Sequence, residues 1–303
     1  MSLGWLFGGT LAALAAATIF GQVLRRTTAS EAARRTVENM NLRIAAWWVL
    51  CGAVGLALAL GDVAVLALFA LFSLVALREF LALIPGGRSL FRELAVLVPV
   101  QYWLLWSRRS GVWIPVCGFL YIAVRKLFFG GTERSLEQTA KACWGVALCV
   151  WFFSDAPAVL LLEIPGYAGR NATLLFYFLL VVESSDVMQY GWGKLLGRRA
   201  IAPKISPHKT WEGFAGGILS AISLGTALHR ATPFSAGQAA AICAAITLAG
   251  FAGGMTLSAI KRASGIKDFG AAIPGHGGAL DRIDSLCFAA PVFYYVVRCW
   301  FAR

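Results

Sequence analysis

From Leu3 to Leu24 the chain carries no charged residue. A helix rising 1.5 Å per residue needs about 20 apolar residues to cross a hydrocarbon layer of ~30 Å. Further apolar runs follow at 44–60, 63–77, 93–106, 111–124, 142–162, 172–190, 213–228, 236–257 and 283–300. These runs constrain the fold more than any other feature. They predict an all-α polytopic integral membrane protein with about ten transmembrane helices, eight or nine being the lower counts. Composition agrees: 59% of residues are hydrophobic and 14% charged, against ~25% charged in soluble domains. No polar interval is long enough for a separate soluble domain.

Local signals divide the runs. The first lacks a basic n-region and reads as a retained helix, not a cleaved signal. Residues 25–43 form a polar connector, readable as an amphipathic interfacial helix with its N-cap at Ser30. Gly61-Asp62 turns a helical hairpin that ends at Arg78-Glu79-Phe80, and Pro85-Gly86-Gly87 breaks the chain. The runs 93–106 and 111–124 are short for spans, and 142–162 is interrupted by Asp155 and Pro157. Two regions result, 1–170 and 171–303. The seven cysteines lie in apolar segments without a C-x-x-C pair and read as small core residues.

The net charge of +12 could suggest nucleic acid, but the positive-inside rule accounts for it. Of the 27 Lys and Arg residues, 21 fall in 25–43, 78–93, 125–141, 191–212 and 258–282. That bias places both termini outside and those five loops in the cytoplasm. The basic loops 191–212 and 258–282 are joined by one hairpin, 213–257, so they are expected to meet at one membrane surface.

Those two loops hold the chemistry. In 258–285, Lys261, Arg262, Lys267, Asp268, His276, Asp281, Arg282 and Asp284 lie between apolar spans. Asp281 and Asp284, three apart at the start of the last span, are expected to share a face. They read as helix-terminal charges favoured by the macrodipole or, more sharply, as Mg²⁺ ligands completed by phosphates. Gly277 and Gly278 allow close backbone approach to a ligand, and a helix N-terminus binds anions. His276 reads as a turn residue or a direct contact. In the second cluster Glu183, Asp186 and Tyr190 share one helical face, and acids inside a span are functional by default. Lys204, Ser206, Lys209 and Thr210 follow in a Pro-punctuated loop suited to cradling phosphates, while Lys194, Arg198 and Arg199 read as topology and headgroup charges.

The pattern from Ser258 through Lys261-Arg262, Lys267-Asp268, Pro274-x-His276-Gly277-Gly278 to Asp281-Arg282-Ile283-Asp284 resembles the signature of the phosphatidate cytidylyltransferases (CDP-diacylglycerol synthases). Ile201–Gly213 is similar to that family's second motif, and Ser185-Asp186 and Arg78-Glu79-Phe80 to shorter elements. The likeness is strong over 180–303 and only hydropathic before. Ala279 and the run after Asp186 depart from the usual pattern, which bears on the lipid acceptor.

The resemblance implies transfer of cytidylyl from CTP to phosphatidic acid, giving CDP-diacylglycerol and pyrophosphate with Mg²⁺, a second metal being allowed. It assigns Asp281 and Asp268 as metal ligands, with Asp284 and Asp186 as further ligands or supports. Lys261, Arg262, Lys267, Arg282, Lys209 and Lys204 go to the phosphates, aided by Ser206, Thr210, His276, Gly277 and Gly278. No covalent nucleophile is needed. The expected partners are CTP, a lipid phosphate and membrane lipids, not nucleic acid, and a homodimer is left open. The expected location is a bacterial inner membrane with the site facing the cytoplasm. The alternatives are an enzyme using CTP on another lipid phosphate or lipid alcohol, and an ion or anion transporter. The transporter reading predicts paired broken helices in two halves, which the sequence lacks.

Overall fold

The computed structural model describes residues 2–27, 30–108, 113–129, 135–270 and 277–302. His276 lies outside them. Among the described residues the architecture is a helical bundle: α1 (Leu3–Thr27), α2 (Glu31–Leu60), α3 (Asp62–Leu81), α4 (Gly87–Leu94), α5 (Leu97–Trp106), α6 (Trp113–Phe129), α7 (Ser135–Val146), α8 (Phe153–Ala158), α9 (Asn171–Leu196), α10 (Trp211–Ala227), α11 (Ala236–Ala263) and α12 (Leu280–Trp300).

Among the described residues, six helices are long and apolar enough to cross a membrane: 3–27, 40–60, 62–81, 136–161, 171–196 and 236–263. That is fewer than the ten expected. The run 93–106 divides into α4 and α5, separated at 95–96, and α10 has only 17 residues. The last helix is long enough, but Asp281, Arg282, Asp284 and Arg298 lower its hydropathy. The connector 25–43 is not a separate interfacial helix either. Its residues from Glu31 onward continue into α2 without a break, and Ser30 makes no side-chain cap bond. Glu, Ala and Arg are good helix formers, so polarity there ends the apolar run and not the helix.

The expected turn at Gly61 is present. Its φ of +101° links α2 to α3, a conformation open to glycine alone at low cost. The interruption at Asp155 and Pro157 does not stop the chain. A π-helical stretch over 147–152 precedes α8, Pro157 sits inside α8, and a 3₁₀ turn follows at 159–161. Wider and tighter turns on either side accommodate the missing proline N–H.

An all-α fold misses one element. Residues Ala200–Ala202 (β1) and Ser206–Thr210 (β2) form an antiparallel hairpin, with Ala202 opposite Ser206 and Ala200 opposite Thr210. Pro203 and Lys204 occupy its turn. Glu212 Oε2 accepts the Arg198 and Arg199 N–H groups at 3.0 and 3.3 Å, closing the hairpin's base. Those N–H groups, Arg198's foremost, hold the Glu212 carboxyl below the usual range.

The core is organised around α12. Its Leu280, Ile283, Cys287, Ala290, Phe293 and Val297 recur every three or four residues and are almost wholly buried. Phe293 stacks on Phe178 of α9 at 4.7 Å, and Phe69 of α3 stacks on Phe153 of α8 at 5.1 Å. Phe80 of α3 lies over Phe269 at 6.1 Å, so the 1–170 and 171–303 regions share one core. By contrast α1 buries only Leu6 and Gly21 and leaves Trp5, Ile19, Phe20 and Val23 exposed. An apolar helix so little covered by protein suits a lipid-facing position.

Candidate active site

The loops 191–212 and 258–282 meet, as expected from the hairpin that joins them. Arg262 Nε donates to the Ile205 carbonyl at 3.2 Å, and its Nη1 to the Ile266 carbonyl at 3.3 Å. Two close helix approaches set the geometry. A Cβ at Gly217 of α10 would lie 2.6 Å from the Gln189 backbone nitrogen of α9. One at Gly253 of α11 would lie 2.7 Å from the Asp284 carbonyl of α12. Glycine at these points brings α9, α10, α11 and α12 together at the end of the bundle where the loops sit.

There, the first two turns of α12 face two ways. On one side Asp281 is buried and fully engaged. Its Oδ1 accepts Lys261 Nζ at 2.8 Å, and its Oδ2 accepts the N–H groups of Phe269 and Gly278, both at 2.9 Å. The Lys261 and Asp281 side chains are only 11% and 4% exposed, so each is the other's counter-charge. Lys261 also lies 5.4 Å from the Phe269 ring centroid. Gly277, at φ +80°, passes so close that a Cβ would lie 2.8 Å from Asp281 Oδ2 and 3.4 Å from Asp268 Cγ. Asp268 and Asp281 therefore do flank one backbone position, Asp268 on the exposed side.

On the other side Asp284 faces α9. Ser285 Oγ donates to Asp186 Oδ2 at 2.5 Å, and the Ser285 N–H donates to Asp284 Oδ1 at 2.9 Å. One serine thus ties the carboxylates of two helices. Glu183, a turn back along α9, feels the charges of Asp186, Asp284 and Arg282. Asp186 in turn feels Asp284, Lys209 and Arg282. A Cβ at Gly254 would lie 2.9 Å from Lys209 Nζ and 3.8 Å from Asp284 Oδ2. The missing side chain gives Lys209 its place beside Asp284, over the Phe251 ring at 5.1 Å. Three acids gather here with Lys209, and the charge of Arg282 reaches them.

The remaining assigned residues divide. Thr210 Oγ1 caps α10 by accepting the Gly213 N–H at 3.1 Å, and Ser206 opens β2. Lys204, Lys267 and Arg262 are exposed at the rim. Gly278 approaches no open ligand space. A Cβ there would lie 2.3 Å from Glu79 Oε2. Glu79 and Ser285 are the functional candidates that sequence reasoning missed. Glu79 is noticed in sequence as part of the end of α3 and of a short family-like element, without a role assigned to it. Ser285 directly follows Asp284 and could have been read with it.

The acidic face fits a hard divalent cation. Magnesium commonly takes one or two carboxylates and draws its other ligands from water and substrate phosphates. Asp186 and Asp284 offer that pair, steadied by a shared hydroxyl. Among the described residues no group of three or more His, Cys, Asp or Glu converges as a metal cage.

The model of the cytidylyltransferase family matches residues 41–300. An uncharacterized Escherichia coli protein, YnbB, is 36% identical over 296 residues, covering 95% of this chain and 97% of that one. The phosphatidate cytidylyltransferase of Mycobacterium bovis is 31% identical over 271 residues, covering 80% of this chain and 86% of that protein. That of Bacillus subtilis is 36% identical over 154 residues, half of this chain and 54% of that protein.

Proposed function

This chain belongs to the cytidylyltransferase family, and on that premise we propose that it transfers cytidylyl from CTP to phosphatidic acid, releasing pyrophosphate and forming CDP-diacylglycerol. It is an integral membrane enzyme of CTP-dependent lipid nucleotidyl transfer; the acceptor, the products and the metal are the proposal. An oxygen of the lipid phosphate attacks the α-phosphorus of CTP. The bond from that phosphorus to the bridging oxygen breaks, and pyrophosphate leaves with that oxygen. Such a reaction asks the protein to align two anions and offset the charge that builds on the leaving group.

The observation that supports this reading is the face shared by Asp186, Ser285, Asp284 and Lys209, which the charge of Arg282 reaches. Lys209 and Arg282 are assigned to the CTP phosphates, where charge-assisted bonds are strongest. Asp284 and Asp186 would hold Mg²⁺, which supplies Lewis-acid charge at the phosphoryl oxygens. Asp281 and Lys261 hold the start of α12 in place, with Asp268, Lys267, Arg262 and Lys204 as rim charges toward the incoming nucleotide. Arg43 of α2 and Lys194 of α9 both stack on Tyr190, at 5.4 and 5.9 Å from its centroid. Tyr190 is one turn beyond Asp186 on α9, so this pair is assigned to the lipid headgroup. The 21-of-27 bias of Lys and Arg favours a cytoplasmic face, and the bacterial relatives favour the inner membrane.

Purified protein with labelled CTP, a panel of lipid phosphates and lipid alcohols, and a Mg²⁺ titration tests the proposal. The expected result is CDP-diacylglycerol from phosphatidic acid, dependent on the cation. Turnover of a different acceptor alone, or ion transport without turnover, would overturn it.

A further inference from the structure

Glu79 stands in the last turn of α3, yet its carboxylate sits at the start of α12, 200 residues further on. Oε1 accepts the Ala279 N–H at 3.0 Å and Oε2 the Leu280 N–H at 2.9 Å. A helix N-terminus is usually capped by a side chain of its own N-cap residue. Here that residue is Ala279, which makes no side-chain cap bond, and the cap comes from another helix.

The chain has cleared space for it on both sides. A Cβ at Gly278 would lie 2.3 Å from Glu79 Oε2, and one at Gly270 2.5 Å from Oε1. Either position would have to lose its fit to any larger residue. With the Gly278 N–H given to Asp281, the donors of residues 278, 279 and 280 all serve carboxylates of the protein itself. A substrate phosphate therefore finds no free donor among these three. The anion expected at this terminus is resident, and it is Glu79.

Two bonds to successive N–H groups fix more than position. Each residue of a helix advances the face by about 100°, so bonds to both Ala279 and Leu280 fix the rotation of α12 about its axis. That rotation decides which way Asp281 and Asp284 point. We propose that Glu79 is a positioning residue for cytidylyl transfer: it holds α12 so that Asp284 meets Asp186 while Asp281 meets Lys261. This rests on the reading of the acidic face given above.

The test uses the full chain in lipid nanodiscs with Glu79→Ala, Glu79→Gln and Gly278→Ala. Three quantities are read: amide exchange over 278–281, thermal stability, and kcat and KM for CTP. Glu79→Ala is expected to speed exchange at Ala279 and Leu280 and to lower kcat at least tenfold with KM for CTP within about twofold. Glu79→Gln keeps the volume and one acceptor oxygen, so it should recover part of kcat. Gly278→Ala displaces the carboxylate without altering it and should copy Glu79→Ala. A cap that only stabilises would lower the melting temperature and leave kcat of the folded protein unchanged, which overturns the proposal, as does unaltered exchange at 279–280. Should Glu79→Ala fail to fold, Glu79→Gln decides, because wild-type kcat in that variant also overturns it. Wild-type protein that transfers cytidylyl to no lipid phosphate would sink the functional reading instead, while exchange still reports on the two bonds.

Discussion

Asp281 and Asp284 are the same residue type, three positions apart in one motif, and their surroundings differ. Asp281 has a buried lysine and two backbone N–H groups on its oxygens. Asp284 shares its side of α12 with two other acids, accepts a serine N–H on Oδ1, and feels the charges of Lys209, Lys261 and Arg282. A carboxylate already neutralised by its own protein has little to gain from a cation, whereas clustered carboxylates repel until one arrives. Number and kind of partners, not the motif, distinguish these two acids.

The largest expected effect breaks this pair apart. Asp284→Asn removes a charge from the proposed cation site while keeping shape. It should cost at least ~10³-fold in kcat, several kcal/mol of transition-state stabilisation at about 1.4 kcal/mol per decade. Thermal stability should hold or rise, because repulsion with Asp186 is relieved. Turnover near wild type across a Mg²⁺ titration would return Asp284 to a supporting role.

Asp281→Asn is expected to act on stability. It leaves Lys261 buried without its ion-pair partner, a loss of about 3–5 kcal/mol where one partner of a buried pair is removed. Pairing it with Lys261→Met should recover most of that loss, since the Asn oxygen can still accept a backbone N–H. A stable, inactive Asp281→Asn protein would instead move Asp281 into the cation's shell.

Lys209→Gln probes the cationic part of the Asp284 side. A charge-assisted bond to phosphate is worth about 1.5–3 kcal/mol, so KM for CTP should rise ten- to a hundredfold with little change in melting temperature. An unchanged KM would remove Lys209 from the nucleotide phosphates.

Much of this was legible in the sequence and some was not, for physical reasons. The meeting of loops 191–212 and 258–282 followed from one connecting hairpin. Gly61 was legible because a turn between two apolar runs leaves glycine few substitutes. The two sides of α12 were not, because a spacing of three is about 300° and stops some 60° short of a full turn. In a crowded bundle that angle is enough to face a different helix. Glu79 was hidden because its partners are backbone groups distant in sequence, and backbone donors leave no residue signature. The β1–β2 hairpin was masked by Pro203 and Pro207, which read as loop. Ten apolar runs correspond to six long apolar helices among the described residues, because a run is read from hydropathy alone, whereas a span also needs helix length and few charges.

The smallest effect is expected at an ion pair outside both sides of α12, and it calibrates the second prediction. Glu93 of α4 is paired with Arg125 of α6, and its Oε2 accepts the Tyr121 hydroxyl at 2.6 Å. The Arg125 guanidinium, with Tyr121 next, holds its carboxyl down to about 2. This pair is more exposed than Lys261–Asp281, 31% at the glutamate against 4% at Asp281. Exposed pairs contribute about 0–1 kcal/mol, so Glu93→Gln should cost under about 1 kcal/mol at neutral pH. Its sign with pH is fixed by linkage. The folded pKa lies below the unfolded value of about 4.3, so the contribution is full above that value and fades as pH falls toward 2. Melting curves of wild type and Glu93→Gln should therefore converge between pH 4 and 2. A loss of several kcal/mol at pH 7, or a gap that persists at pH 2, would show that burial does not separate this pair from Lys261–Asp281. The stability assigned to Asp281 would then no longer follow from its buried position.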